Sequence, residues 1–206
     1  KKFRILPIYI IDSNLWAQNS YSDRQWQFCK ESIIDLNKDL KSLGQQLAIR
    51  TGDVIEIFEE INKSFEIMGI YSHQETGDYY TYKRDKKIRN WAINNNIIWK
   101  EFLQFAVFRG KTNRDSWANN WKKHLEKKIP KRKLNLNPID FKLGNIPNDD
   151  FFKFKEDKCL GRLKGGRKEG LLRLEIFLRK DIYLYRKNIS NPEKSKVNCS
   201  RLSPYI

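Results

Sequence analysis

Residues 46–73 read QLAIRTGDVIEIFEEINKSFEIMGIYSH, and this stretch decides the fold. "QLAIR" suits a short strand, Thr51-Gly52-Asp53 a turn that ends on a helix-capping residue, and "VIEIFEEINKSF" a helix; "EIMGIYSH" then reads as another strand. A strand, a turn, a helix and a strand in that order form the unit from which parallel sheets with right-handed crossovers are built.

The same alternation extends in both directions. Upstream, residues 5–11 ("ILPIYII") form a continuous apolar run that ends at Asp12-Ser13-Asn14, as expected of a strand buried on both faces and followed by a turn. Ser22 and Gln25 have the spacing of a capping box, and Trp26, Cys29, Ile33, Leu36, Leu40 and Leu43 recur every three or four residues until Gly44 closes the helix. Downstream, Glu75-Thr76-Gly77-Asp78 reads as an exit loop, residues 79–95 as a helix with Tyr80, Ile88 and Trp91 on one side, and "IIWKEF" as a strand. The expected fold is α/β, a parallel sheet with helices on both faces. Ligands of such sheets sit beyond the carboxyl ends of the strands, an edge that here carries Asp12, Asp53 and Glu75.

Composition shifts after residue 109. From Gly110 to Asp150 a basic, tryptophan-bearing helix ("NRDSWANNWKKHLEKK") runs into Pro130, Pro138 and Pro147 without a sustained period, which reads as a surface connector over 110–164. Gly165-Gly166 then precede "RKEGLLRLEIFLRKDIYLY", whose Leu172, Leu174, Ile176, Phe177, Leu178 and Ile182 are too dense for an exposed face, so an all-helical domain is expected to begin at residue 165. The final "CSRLSPYI" has a Ser/Pro cluster of the kind that opens a new helical segment, and further chain is expected after it.

The 41 Lys and Arg against 25 Asp and Glu leave a formal charge of +16, which favours polyanionic partners; a lysine-rich solvated skin is the competing explanation, and charge alone does not choose. Cys29, Cys159 and Cys199 are few and widely spaced, and with only His73 and His124 the chain offers neither a disulfide framework nor a clustered metal set. A reducing, cytoplasmic setting is expected. No Walker loop, GxGxxG or HExxH occurs, and no apolar run approaches the ~20 residues of a membrane helix. Trp16, Trp26, Trp91, Trp99, Trp117 and Trp121 fall at spacings that suit packing in the core and connector.

Three stretches read together, "LPIYIID", "GGRKEGLLRLEIFL" and "CSRLSPYI", resemble the photolyase/cryptochrome family. The second is similar to that family's Gly-Gly-x-x-x-x-Ala-Leu-x-x-Leu-x-x-Phe-Leu pattern, with Gly170 where Ala is usual, and the third to its Thr-Ser-x-Leu-Ser-Pro flavin segment. "FCKESIIDLNKDLKSLGQQLAIRTGD" and "ETGDYYTYKRDKKIRNW" add weaker matches. The resemblance implies a Rossmann-like antenna domain over 1–109, joined by the connector to the first helices of a FAD-binding domain over 165–206. Family members normally begin with one more strand, central to the sheet. This chain starts at the second, and a strand borrowed through dimerisation at the open sheet edge is one way to fill the place.

What the resemblance implies for the intact protein is light-driven repair of pyrimidine dimers in damaged DNA by electron transfer from reduced FAD, a lyase reaction; blue-light signalling, as in cryptochromes, is the alternative on the same scaffold. A stand-alone α/β domain for a nucleotide-like ligand is a third reading. Carried over residue by residue, the flavin contacts fall on Cys199, Ser200, Arg201, Leu202 and Ser203, with Cys199 a weaker donor than the usual Thr, and on Tyr185 in preference to Tyr183. Asp12, Glu75, Arg84 and Asp85 lie where relatives hold an antenna, methenyltetrahydrofolate or deazaflavin, although Arg84 and Asp85 also suit a helix-surface pair. Arg186 and Lys187 could meet DNA phosphates or simply be solvated. No residue is expected to act as a general acid or base, since the cofactor carries the chemistry.

Overall fold

The computed structural model describes residues 3–104, 107, 109–110, 115–127, 137–155, 157 and 159–205. Pro130 of the expected connector and Ile206 of the C-terminal motif lie outside them. Strands β1 (Ile8–Ile11), β2 (Ala48–Thr51), β3 (Gly69–Gln74) and β4 (Ile98–Leu103) alternate with helices α1 (Ser13–Trp16), α2 (Asp23–Ser42), α3 (Val54–Ser64) and α4 (Tyr79–Asn94). This is the α/β alternation read from the sequence. β1 pairs with β2; β3 pairs with β4 in parallel, from Gly69 opposite Ile98 to Gln74 opposite Leu103. The chain divides into two compact units, one made of Lys1–Ile11, Trp16–Arg50 and Asn135–Ile206, the other of Asp12–Leu15 and Thr51–Leu134.

The first unit is centred on Ile11, Trp16, Trp26, Ile33, Leu47 and Ile49. Trp26 is fully buried and meets Trp16 and Phe152 edge-on, with ring centroids 5.2 and 4.9 Å apart, so Trp26, Cys29, Ile33 and Leu40 of the α2 stripe join the core as their spacing requires, whereas Leu36 and Leu43 stay exposed. The capping box does not form. Ser22 is the N-cap, but its hydroxyl donates to Gln25 Oε1 at 3.0 Å rather than accepting a backbone N–H; at an exposed helix start, water can satisfy the first-turn amides instead. Gly44, at φ +76°, ends the helix as expected. Part of the expected connector packs here: Arg50 donates to the carbonyls of Lys142 and Leu143, and Gly144 lies against the Ile49 carbonyl.

Helix α6 (Arg167–Ile176) passes through a π-helical turn, Phe177–Asp181, into α7 (Ile182–Asn188), and α8 (Pro192–Asn198) follows, N-capped by the Asn191 side chain. Burial along α6 and α7 differs from the expectation. Leu172, Ile176, Leu178 and Ile182 are exposed, whereas Gly170, Asp181 and Asn188 are buried. These leucines and isoleucines keep 40–52% of their surface in water, and the buried face is polar because it anchors the following segment.

The start of α6 is tied to α2 by Glu31, which accepts both guanidinium N–H groups of Arg162 at 2.7 and 2.9 Å and the Gly165 amide at 2.7 Å. Arg162 above all, with help from the Gly165 N–H and against the effect of burial, holds the Glu31 carboxyl below its ordinary value of 4.5. The folded carboxyl is then the stronger acid. Its contribution to stability is complete above the ordinary value and drains away as pH falls through the folded one. Glu31→Gln is expected to flatten the acid limb of a stability–pH profile measured by urea unfolding while changing the neutral limb by only about 1 kcal/mol; an acid limb identical to wild type would contradict this.

The second unit buries Val54, Ile57, Phe58 and Ile61 of α3, Ile88, Trp91 and Ala92 of α4, and Ile97 just before β4, with Phe58 stacking on Trp91 at 5.5 Å. Asp53 caps α3 through the amides of Ile55 and Glu56, and Asp78 caps α4 through Thr81. Trp99 is half-buried and donates to the Ser72 hydroxyl at 3.0 Å. Helix α5 (Trp117–Leu125) contains no buried residue. The expected packing of tryptophans therefore holds for Trp16, Trp26 and Trp91 but not for Trp117 and Trp121, which are half exposed.

Candidate functional site

Two constellations stand out, one in each unit. In the second unit, at the carboxyl end of β3, the structure brings together all four candidates Asp12, Glu75, Arg84 and Asp85. The Arg84 guanidinium reaches Glu75 at 2.8 Å, Asp85 at 3.1 Å and Asp12 at 3.8 Å. Burial works against its charge, yet Glu75 and then Asp85 hold its pKa above the ordinary value. Asp85 is buried and Arg84 largely so, which corrects the surface-pair reading: the two belong to a network, not to the solvated face of α4.

Residues that the sequence did not mark as site candidates complete the network. The Tyr80 hydroxyl donates to both oxygens of Asp12, at 3.0 and 3.1 Å; burial first and Asp12 second push its pKa up to about 12. Asp12 is only 4% exposed and also accepts the amides of Asn14 and Leu15. Arg109 bridges Asp85 at 2.5 Å, Glu101 at 3.3 Å and the Glu75 carbonyl. Tyr80 was legible as one residue of a helix face; nothing local marks Arg109 or Glu101. Beside the network opens a pocket of about 470 Å³ lined by His73, Gln74, Glu75, Thr76, Gly77 and Gln104. Asp53, the third acidic residue expected at this edge, is used up as the cap of α3.

In the first unit, the segment Cys199–Ser203 leaves α8 and is held from behind. Arg173 donates to the Cys199 carbonyl at 2.6 Å and the Ser200 carbonyl at 2.9 Å, and pairs with buried Asp181 at 3.2 Å. Arg201 sits in the left-handed region at φ +51° and donates to the Gly161 carbonyl. Tyr205 donates to the Lys164 carbonyl and lies on Gly170, where a Cβ would meet its ring at 2.9 Å. That contact accounts for glycine where the family pattern has alanine. The helical start expected here is a short 3₁₀ turn, Ser203–Tyr205.

Because a trans peptide sets N–H opposite C=O, anchoring the carbonyls of Cys199 and Ser200 on Arg173 turns the amides of Ser200 and Arg201 the other way. Among the described residues no backbone or side-chain acceptor takes the amides of residues 200–203. Outward amides around a left-handed residue form an anion-binding concavity, so the donor set fits a phosphate. Tyr185 is half-buried, edge-on to Phe177 at 5.5 Å, while its rival Tyr183 is 81% exposed. Arg186 and Lys187 are exposed on α7. No group of His, Cys, Asp and Glu among the described residues could hold a metal ion, and no described helix is long and apolar enough to cross a membrane.

The family model described as DNA photolyase matches residues 1–129. The chain belongs to the DNA photolyase family. A curated relative, the chloroplastic/mitochondrial cryptochrome DASH of Arabidopsis thaliana, is 25% identical over 98% of this chain and 40% of its own length. Among solved structures, this photolyase-family chain is similar in fold to a bacterial class III photolyase from Agrobacterium tumefaciens, with a TM-score of 0.71 at 16% identity over 99% of this chain and 44% of that one. The cryptochrome of Synechocystis gives 0.69 at 18% identity over 90% and 43%. The archaeal photolyase of Sulfolobus tokodaii, solved with two FAD molecules, gives 0.58 at 22% identity over 95% and 51%. The photolyase-family chain thus spans about half or less of the length of these relatives.

Proposed function

We propose that this chain is the antenna domain and first FAD-domain helices of a DNA photolyase, a lyase that repairs pyrimidine dimers in damaged DNA. The observation that carries the reading is the Arg173-anchored segment Cys199–Ser203, whose outward amides and the hydroxyls of Ser200 and Ser203 suit the pyrophosphate of FAD. The bound flavin would supply the electron that opens the dimer. The chain's own part is binding and orientation: Arg173 fixes the segment, Arg201 sets its turn, and Tyr185 offers a ring beside the cofactor. The exposed apolar face of α6 and α7 supports the same reading, since a surface of this kind is normally covered by a partner or by more of the same domain.

In the second unit, the pocket beside Glu75 suits an antenna chromophore such as methenyltetrahydrofolate. Glu75 would accept hydrogen bonds from a pterin-like ring, and Arg84 holds its carboxylate in place. The second reading, a cryptochrome-type photoreceptor, is favoured by the Arabidopsis and Synechocystis relatives. The near-ultraviolet and blue absorption of the purified chain, with chromophore release on denaturation, tests the proposal. A pterin or deazaflavin without stoichiometric flavin is expected, because most of a flavin pocket would come from further helices. A released chromophore that is neither flavin, pterin nor deazaflavin would overturn it, and repair of a dimer-bearing oligonucleotide by the chain joined to the rest of its helical domain would separate lyase from photoreceptor.

A further inference from the structure

Helix α5 presents a surface that neither constellation uses. Trp117, Trp121 and Leu125 recur every fourth residue and are 50%, 46% and 60% exposed. The two indole rings lie nearly parallel, 19° apart in plane with centroids separated by 6.0 Å. At about 100° per residue, the three side chains make a stripe roughly 80° wide, with Lys122 on one flank and His124 on the other. A bare apolar stripe on a nine-residue helix without a single buried residue costs solubility unless something meets it.

The charge says what that something is. Residues 111–133 contain nine Lys and Arg against two Asp and Glu, the densest basic stretch of that length in the chain, and the helix itself carries no acidic residue; Glu126, its C-cap, pairs with Lys122 at 4.0 Å. Such charge draws polyanions. Parallel, half-exposed indoles within a lysine-rich stretch have the two parts of a single-stranded nucleic-acid platform: flat faces on which successive bases stack without regard to sequence, and cations that track the phosphates. A duplex keeps its bases stacked inside and would leave the indoles unused.

We infer that the Trp117/Trp121 face of α5 binds single-stranded nucleic acid without sequence preference, apart from any flavin-dependent site. The inference does not rest on flavin binding. The test is fluorescence anisotropy of a labelled oligothymidylate titrated with the full chain at several salt concentrations. Each base stacked is worth ~1–3 kcal/mol, so Trp117→Ala with Trp121→Ala should weaken binding about tenfold or more and leave the salt slope intact. The Trp→Phe pair should retain most of the affinity. Lys122→Gln, Lys123→Gln and Lys127→Gln together should lower the salt slope by about 2, at ~0.7 per phosphate contact. Far-ultraviolet circular dichroism checks that each variant is folded. Undiminished binding by the alanine pair, no binding by wild type at low salt, loss of binding only in Arg186→Gln with Lys187→Gln, or binding to phosphatidylserine vesicles that the oligonucleotide does not compete away would each overturn the inference, the last in favour of a membrane surface.

Discussion

Gly165→Ala is expected to destabilise the first unit by about 3 kcal/mol or more. A Cβ at this position would collide with the Phe28 carbonyl oxygen and stand 2.6 Å from the Ser32 hydroxyl and 2.9 Å from the Phe28 carbonyl carbon. The Phe28 carbonyl belongs to the backbone of α2, which cannot rotate aside as a flexible side chain could. Overpacking usually costs ~1–3 kcal/mol, and a clash with helix backbone belongs at or above the top of that range. The same shift would pull the Gly165 amide from Glu31 and loosen the Arg162 pair. Gly161→Ala, with nothing within 4 Å of its Cβ position, is the matched control and should change stability by less than about 0.5 kcal/mol. Urea unfolding of the two variants side by side decides the matter: equal midpoints would show that α2 and α6 can separate freely at this junction.

Arg173→Leu is the second large effect. It removes the guanidinium from buried Asp181 and from the carbonyls of Cys199 and Ser200 together. An uncompensated buried carboxylate costs ~3–5 kcal/mol; because Arg173 itself is partly exposed, about 3 kcal/mol is expected. Arg173→Leu combined with Asp181→Leu should regain part of the stability, since no lone charge then remains, but should not restore order to residues 199–203. Limited proteolysis of that segment separates the two consequences. Rapid cleavage at 199–203 in both variants fits an anchoring role for Arg173, while resistance unchanged in Arg173→Leu would assign the anchoring to Arg201 and Tyr205.

Much of the fold was legible because it depends on local periodicity. The apolar run of 5–11, the turn at Thr51-Gly52-Asp53 and the three-and-four spacing of α2 specify elements through backbone geometry and side-chain alternation, and these need no knowledge of distant residues. At Ser22 the boundary held but the capping box did not form, because water competes for the first-turn amides at an exposed helix start. Burial along α6 and α7 was misread because hydrophobic density says that a face wants a partner, not that one is present.

The candidate sites divide in the same way. The segment 199–203 and the four antenna residues could be found by their resemblance to family motifs, and the chain's membership of the DNA photolyase family follows from sequence. What sequence could not show is who holds them. Arg109 lies 24 positions from Asp85 and eight from Glu101, and Arg173 lies 26 positions before the carbonyl it anchors; no helical or strand period links such pairs. They meet because parallel strand pairing carries the ends of β3 and β4 together and because α6 folds back on the exit of α8. Sequence alone determined the alternation of strands and helices, their order and the basic charge, since each is set by neighbouring residues. Only the tertiary structure decided which charges are buried, which carbonyls are taken and which tryptophans stay in water, since each is set by contacts between residues that the chain keeps far apart.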